Sequence, residues 1–420
     1  MECTCNRVGD TYFDQMELSG HAHREGDFHK ITALGIRTLR VGMLWERFEQ
    51  QGSWQWSDRC MDGLREAGIR PIAGLMHHGS GPRHTSLLDE DFPIHLAQYA
   101  GALARRYPDI DAYTPVNEPN TTARFSAQYG HWHPHHRSTH SYLRALLNQV
   151  KATVLSMEAI RRVRPEAQLI QTDDCGSVTG TTALRSIAEL LNIRQWLTFD
   201  LLFGRVNHQH PMFEYMRSHG ISAEDILWFQ DHPCPPQVVG VNYYTTSDRH
   251  LDDRRHLYPE FLGSSEGPFV DVEAVRVSGL AAVDFARPVQ EAWQRYQCPV
   301  ALTEVHLGGP PEEQIRWLAA AQAGMQQSSL KGVECAALTV WALLGSYFWN
   351  ELVTRDNGYY EPGVFDMASG EPVPTVLAGV VAELARNQTP SHPALAACGW
   401  WARNDRTCYP WAEVSDSEAA

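Results

Sequence analysis

The segments ALGIRTLRVG (Ala33–Gly42) and EAGIRPIAGLM (Glu66–Met76) decide the fold. Each closes a helical pattern, Asp27–Leu34 in one case and Asp58–Ala67 in the other. Each then passes through a glycine, Gly35 or Gly68, and opens an apolar, β-branched run with Ile-Arg. Glycine after the last helical residue supplies the left-handed C-cap that most side chains resist. Helix, glycine, strand, repeated, is the rhythm of a parallel α/β sheet.

Working outward, five further apolar runs read as strands: Ile110–Val116, Ala167–Thr172, Val238–Tyr244, Pro299–Thr303 and Cys335–Trp341. Long helical patterns cover Ser141–Val163 and Glu312–Gln327. Runs apolar throughout, rather than alternating, predict strands covered on both faces. With a poorer eighth run at Met1–Cys5, the pattern predicts an eight-stranded parallel (β/α) barrel, a TIM barrel, as one domain over residues 1–386. An open doubly wound sheet is the alternative, but its GxGxxG phosphate loop is absent after the first strand. The connections at 174–237 and 245–297 have room for barrel helices and for excursions over the mouth. Residues 387–420 scatter Pro, Trp and Cys without period and read as a C-terminal extension or linker.

Composition narrows the function. The 420 residues are 43% hydrophobic and 20% charged, ordinary for a folded protein, and the net charge is −15. An acidic chain argues against a nucleic-acid backbone or an anionic membrane as partner. No apolar run approaches the roughly 18 residues of a membrane helix. MECTCNRVGD (Met1–Asp10) lacks the apolar core of a signal peptide, and nine dispersed cysteines do not suit a disulfide framework. These features predict a cytoplasmic protein with reduced thiols.

In a barrel of this type, chemistry sits at the C-terminal ends of the strands. The polar residues there are Arg40, His77 with His78, Asn117 with Glu118, Asp173 with Asp174, Asn242 with Tyr244, and Glu304, joined by the ring of Trp341. Two carboxyls across a pocket are the minimum equipment for glycoside hydrolysis: one protonates the leaving oxygen, the other attacks the anomeric carbon or directs water to it.

Six motifs, in order along residues 1–385, resemble glycoside hydrolase family 1. TPVNEP (Thr114–Pro119) resembles its T-x-N-E-P motif, and LTE (Leu302–Glu304) its nucleophile motif, with Val305-His306 where Asn-Gly usually follows. GVNYYT (Gly240–Thr245) is similar to G-x-N-Y-Y-T, and LMHH (Leu75–His78) to L-Y-H-W. LRVGMLWERF (Leu39–Phe48) is similar to Y-R-F-S-I-S-W-x-R, and VWALLGSYFW (Val340–Trp349) to W-S-x-x-D-N-F-E-W.

The resemblance implies a retaining β-glycosidase, hydrolysing or transferring, with Glu304 as nucleophile and Glu118 as acid/base. It implies that Asn117 holds the sugar 2-hydroxyl, that Arg40 and Tyr244 flank and orient Glu304, and that His77 binds sugar hydroxyls. It also puts Asn6 in place of a glutamine on the first strand. Asn242, Trp341, Phe348 and Trp349 complete the substrate site, with Trp341 as its floor. No metal or cofactor is implied; the partner is a carbohydrate.

Departures from the family bear on specificity. Phe348 stands where the family has the glutamate that clamps the 4- and 6-hydroxyls, which implies a glycone other than plain glucose. ECTCNRVGD (Glu2–Asp10) and the GWW and YPW of the tail resemble family-1-like domains joined to sugar-nucleotide reductases of the dTDP-dehydrorhamnose type. The rival reading is therefore a catalytically silent sugar-binding barrel serving such a reductase. A third keeps catalysis in a related retaining barrel family.

Plainer roles stand beside these. NEP alone is a turn, Arg40 an ion-pair partner, His77 a satisfied core histidine, Trp341 plain core. HWHPHHRSTH (His131–His140) lacks the fixed spacing of a zinc site and reads as a solvated rim. Asp252–Arg255 reads as a solvated loop. Asn120-Thr121-Thr122 fits a glycosylation sequon, unmodified without a secretory signal.

Overall fold

The computed structural model describes residues 1, 3–264, 266–281 and 283–409. All seven apolar runs form strands: β1 Thr38–Gly42, β2 Arg70–His77, β3 Ala112–Asn117, β4 Gln168–Asp174, β5 Val238–Asn242, β6 Val300–Val305 and β7 Cys335–Val340. They hydrogen-bond in strict chain order from β1 to β7, the order of a singly wound barrel sheet. Pairing is parallel from β1 through β4, with Gly42 opposite Gly74, His77 opposite Asn117 and Tyr113 opposite Leu169. β3 and β6 are buried at every residue, as unbroken apolar runs require. β7 is not: Ala336 and Ala337 are exposed, and among the described residues it is an end strand of the sheet.

The expected eighth strand is corrected by the structure. Among the described residues, Met1 and Cys3–Cys5 form no strand of the seven-stranded sheet. Cys5–Val8 instead pairs antiparallel with Thr11–Asp14. Gly9, at φ 57°, allows a two-residue turn, so a local partner takes the strand's hydrogen bonds. The terminal amine lies along β1, donating to the Arg40 carbonyl at 3.2 Å.

The chain falls into two compact units. The first comprises Met1–Asp173, Thr198–Gly240 and Val340–His392. Here α1 (Asp27–Ala33) and α2 (Gln55–Glu66) end before Gly35 and Gly68, both left-handed as the repeat predicted. α3 (Phe92–Arg106) packs along α4 (Thr139–Arg161), which Ser138 caps by accepting from the Ser141 amide. Gly101 permits their approach: a β-carbon there would meet that of Ala159 at 3.4 Å.

The second unit comprises Asp174–Leu197, Val241–Thr339 and the chain from Pro393 onward. The excursions expected from the long connections pair as a three-stranded sheet, Val270–Glu273 beside Arg249–Asp252 beside Val178–Gly180. Asp252 does not sit on a solvated loop. It is fully buried at the end of its strand, accepting from Arg254 and from the Tyr258 hydroxyl at 2.8 Å. α5 (Ala286–Tyr296) and α6 (Pro311–Leu330) flank β6. The tail is fastened to this unit. Trp401 meets Trp317 of α6 edge-on at 4.8 Å, and Arg406 donates to the Leu280 carbonyl.

Among the described residues, no helix is long and apolar enough to cross a membrane. The nine cysteines are free thiols, seven of them wholly or partly buried.

Candidate active site

In the first unit, the site is built outward from Asn117, the last residue of β3. Its Oδ1 accepts from Arg40 Nη1 at 2.6 Å and from Thr172 Oγ1 at 2.8 Å. With both lone pairs engaged, the amide is oriented, and its Nδ2 turns to His77 Nε2 at 3.2 Å and His78 Nε2 at 3.5 Å. All four partners are buried, so an unmade bond here would be costly. Burial, helped by His78 and Arg40, holds the His77 pKa well below the usual imidazole range. His77 is therefore neutral, accepting at Nε2 from Asn117 and facing Cys3 Sγ through Nδ1 at 3.3 Å.

Glu118 follows at the strand end, buried, in the left-handed region at φ 45°. A non-glycine residue held there is strained, and such strain concentrates at functional sites. Its amide donates to the Thr172 carbonyl, while Pro119 opens the short helix Pro119–Ala123. Its Oε2 stands 3.8 Å from His78 Nε2. The His78 ring in turn meets Trp132 at 5.3 Å and Trp349 at 5.7 Å. Trp349 meets Trp341 edge-on at 6.1 Å.

Asn6 is fully buried and donates to the Val353 carbonyl at 2.9 Å; among the described residues its Oδ1 has no hydrogen-bond partner. The buried indole nitrogen of Trp349 also has none. An acceptor and a donor left open in a polar site suit a hydroxylated ligand. Phe348 is buried. Its ring packs edge-on against Phe13 at 6.2 Å and borders a cavity of about 560 Å³ beside Tyr12, Asp14 and Arg47.

In the second unit, Glu304 lies buried on β6, and Tyr244 donates its phenol proton to Glu304 Oε2 at 2.5 Å. Tyr244 is fixed by Ser247, whose hydroxyl accepts from the Tyr244 amide at 2.9 Å and donates to Asp174 at 2.5 Å. Asn242, fully buried, accepts from Thr303 at 2.6 Å. A short phenol–carboxylate bond fixes the carboxylate's direction, as a nucleophile requires.

The sequence thus led to Arg40, His77, Asn117, Glu118, Trp341 and Trp349 in one unit and to Asn242, Tyr244 and Glu304 in the other. It gave no role to Trp132, which lay hidden in the His131–His140 segment. That segment is largely exposed, as a rim would be, but Trp132 is buried and donates to the Leu352 carbonyl at 2.7 Å. A lone aromatic among polar neighbours was the available signal. Among the described residues, no group of three or more His, Cys, Asp or Glu side chains is placed to hold a metal. Asn120 is buried and holds the Tyr142 hydroxyl, so its sequon is inaccessible in the folded chain.

No family profile matches the sequence. Solved structures do match. A family 1 β-glucosidase from Thermotoga maritima superimposes with a TM-score of 0.73 at 15% identity, covering 89% of this chain and 88% of that one. The Thermotoga maritima β-glucosidase complexes with deoxynojirimycin and with galacto-hydroximolactam each give 0.74 at 16% identity, covering 88% and 87%. The fold is that of an α/β-barrel glycosidase. More narrowly, it is the fold of the family 1 β-glucosidases, carried by a strongly divergent sequence.

Proposed function

We propose that the chain is a retaining β-glycosidase acting on a carbohydrate, with Glu304 as nucleophile and Glu118 as acid/base. A Glu304 carboxylate oxygen bonds to the anomeric carbon as the glycosidic bond breaks, and Glu118 gives its proton to the leaving oxygen. Glu118 then takes a proton from water, whose oxygen displaces Glu304 from the sugar. Asn6 Oδ1 and Trp349 Nε1 offer an acceptor and a donor to the sugar hydroxyls. The observation that carries this reading is that each glutamate is buried at its own strand, with its neighbours fixing it: Tyr244 on Glu304, and the Asn117–His78 group beside Glu118.

The glycone follows from Phe348. An apolar ring in place of a clamping carboxylate leaves hydroxyls unpaired, so we read the preferred sugar as a 6-deoxyhexoside or a pentoside. The rival, a silent sugar-binding barrel serving a sugar-nucleotide reductase, draws on the same Phe348 and on Val305-His306.

The test is trapping with a panel of 2-fluoro aryl β-glycosides and mass spectrometry. A sugar adduct on a peptide containing Glu304, with turnover lost in Glu304→Ala, is expected. Sugar binding with neither adduct nor turnover across the panel favours the silent barrel.

A further inference from the structure

We propose that His78 is a positioning residue that holds Glu118 in its protonated form by presenting a lone pair, not a proton, to the carboxyl. This inference rests on the acid/base role proposed above for Glu118.

The argument is a chain of hydrogen-bond directions. Arg40 cannot act as an acceptor, so its 2.6 Å contact makes the Asn117 atom it touches the oxygen. Asn117 Nδ2 then points two protons at the histidines, and both must meet it with lone pairs. For His78 the opposite nitrogen agrees. Thr122 donates its hydroxyl proton to the Asn117 carbonyl at 3.4 Å, which leaves its oxygen to accept from His78 Nδ1–H at 3.0 Å. His78 is thereby the neutral Nδ1–H tautomer, with a bare Nε2 directed at Asn117 Nδ2 and at Glu118 Oε2, 3.8 Å away.

A bare nitrogen discriminates between the two forms of Glu118. Nε2 has one lone pair, so the O–H of the carboxylic acid takes it by displacing the long 3.5 Å contact from Asn117 Nδ2 as it closes the 3.8 Å gap. The carboxylate would set its charge against the imidazole lone pair. Protonation of His78 itself is opposed, because an N–H at Nε2 would face the Asn117 donor. The proton therefore stays on Glu118 until the leaving oxygen takes it, and the carboxylate left behind is driven to recover one from water.

Other titratable groups of this unit have partners of their own. His77 is neutral through burial. Arg40 is turned to Asn117, and the terminal amine to the Arg40 carbonyl. Cys3 faces His77, Asp173 accepts from the Asn120 amide, and Glu46 accepts from the Gly81 amide. Trp132 and Trp349 close the remaining sides with rings.

The experiment compares the full chain with His78→Ala and His78→Gln. It measures kcat/KM against pH on two aryl β-glycosides, one with a dinitrophenolate leaving group and one with an unactivated phenol. His78→Ala should move the alkaline limb down by about one pH unit and lower turnover of the unactivated substrate roughly tenfold or more. The dinitrophenyl substrate needs no acid and should change little. Added imidazole, or the amide oxygen of His78→Gln, should restore part of the loss. An unmoved limb, or equal losses on both substrates, overturns the inference while leaving the glycosidase reading intact. Absence of turnover in the unaltered chain removes that reading and this inference with it. Nitrogen-15 NMR of the unaltered protein checks the tautomer without a variant: His78 should remain neutral with its proton on Nδ1 across the active pH range. A proton on Nε2 there overturns the proposal.

Discussion

Tyr244 and Glu304, sixty positions apart, are joined by a 2.5 Å hydrogen bond from the phenol to Oε2. A hydrogen bond to a carboxylate is of a class worth about 1.5–3 kcal/mol. Tyr244→Phe keeps the ring and deletes the donor. It should lower kcat/KM by roughly tenfold to a hundredfold, at about 1.4 kcal/mol per factor of ten, with unchanged circular dichroism. Full activity in the phenylalanine variant counts against Glu304 as the reacting group.

Asn117 ties three strands together through Arg40, Thr172, His77 and His78. Asn117→Leu removes an acceptor from a buried guanidinium and a donor from two buried imidazoles. Each orphaned group costs about 1–3 kcal/mol. The urea midpoint should fall, and turnover with it. Asn117→Asp, which keeps an acceptor for Arg40, should be the more stable of the two. Equal midpoints would show that the Arg40 contact contributes nothing.

Glu46 is fully buried, and burial pushes its carboxyl up to about 7 from its ordinary 4.5. Between those values the folded state holds a proton that the unfolded state has lost. Stability should therefore fall as pH rises through this window, by up to about 3 kcal/mol, and level off above it. Glu46→Gln should flatten that slope and be the more stable form at pH 8. Denaturant melts of both proteins from pH 5 to pH 8 decide it; parallel slopes would assign the decline to other groups.

Phe348 bears on the sugar. The aryl β-D-fucoside or xyloside should be turned over with a higher kcat/KM than the β-D-glucoside, and Phe348→Glu should shift the ratio toward glucoside. A tenfold preference for glucoside in the unaltered chain would sink the assignment. The acceptor for the 4- and 6-hydroxyls would then have to come from another segment.

Chelation should be harmless. Two carboxylates and a water suffice for the chemistry. Activity lost in EDTA and regained with zinc would turn attention to the exposed histidines of His131–His140.

All seven apolar runs became strands within two residues of their expected bounds; for β3 and β6 burial on both faces demands continuous apolar sequence. Gly35 and Gly68 marked helix ends because few residues tolerate their positive φ, 96° and 64°. Met1–Cys5 failed by the same local logic: its pattern could not show that Gly9 would bring Thr11–Asp14 back as a partner. Asp252 was read as solvated because a run of charges normally is. Its burial depends on Arg254 and Tyr258 closing over it.

The sequence by itself determined which residues end strands, and so which polar groups were available for chemistry. These are local properties: hydrophobic period, glycine position, a carboxyl after an apolar run. What only the tertiary structure decided is how those groups are held. The parallel register that sets His77 opposite Asn117 also brings His78 to Asn117 Nδ2. Folding likewise turned Phe348 toward Phe13 and brought the Tyr244 phenol to Glu304. Hydrogen-bond direction and burial depend on partners tens to hundreds of residues away, and no local pattern carries that information.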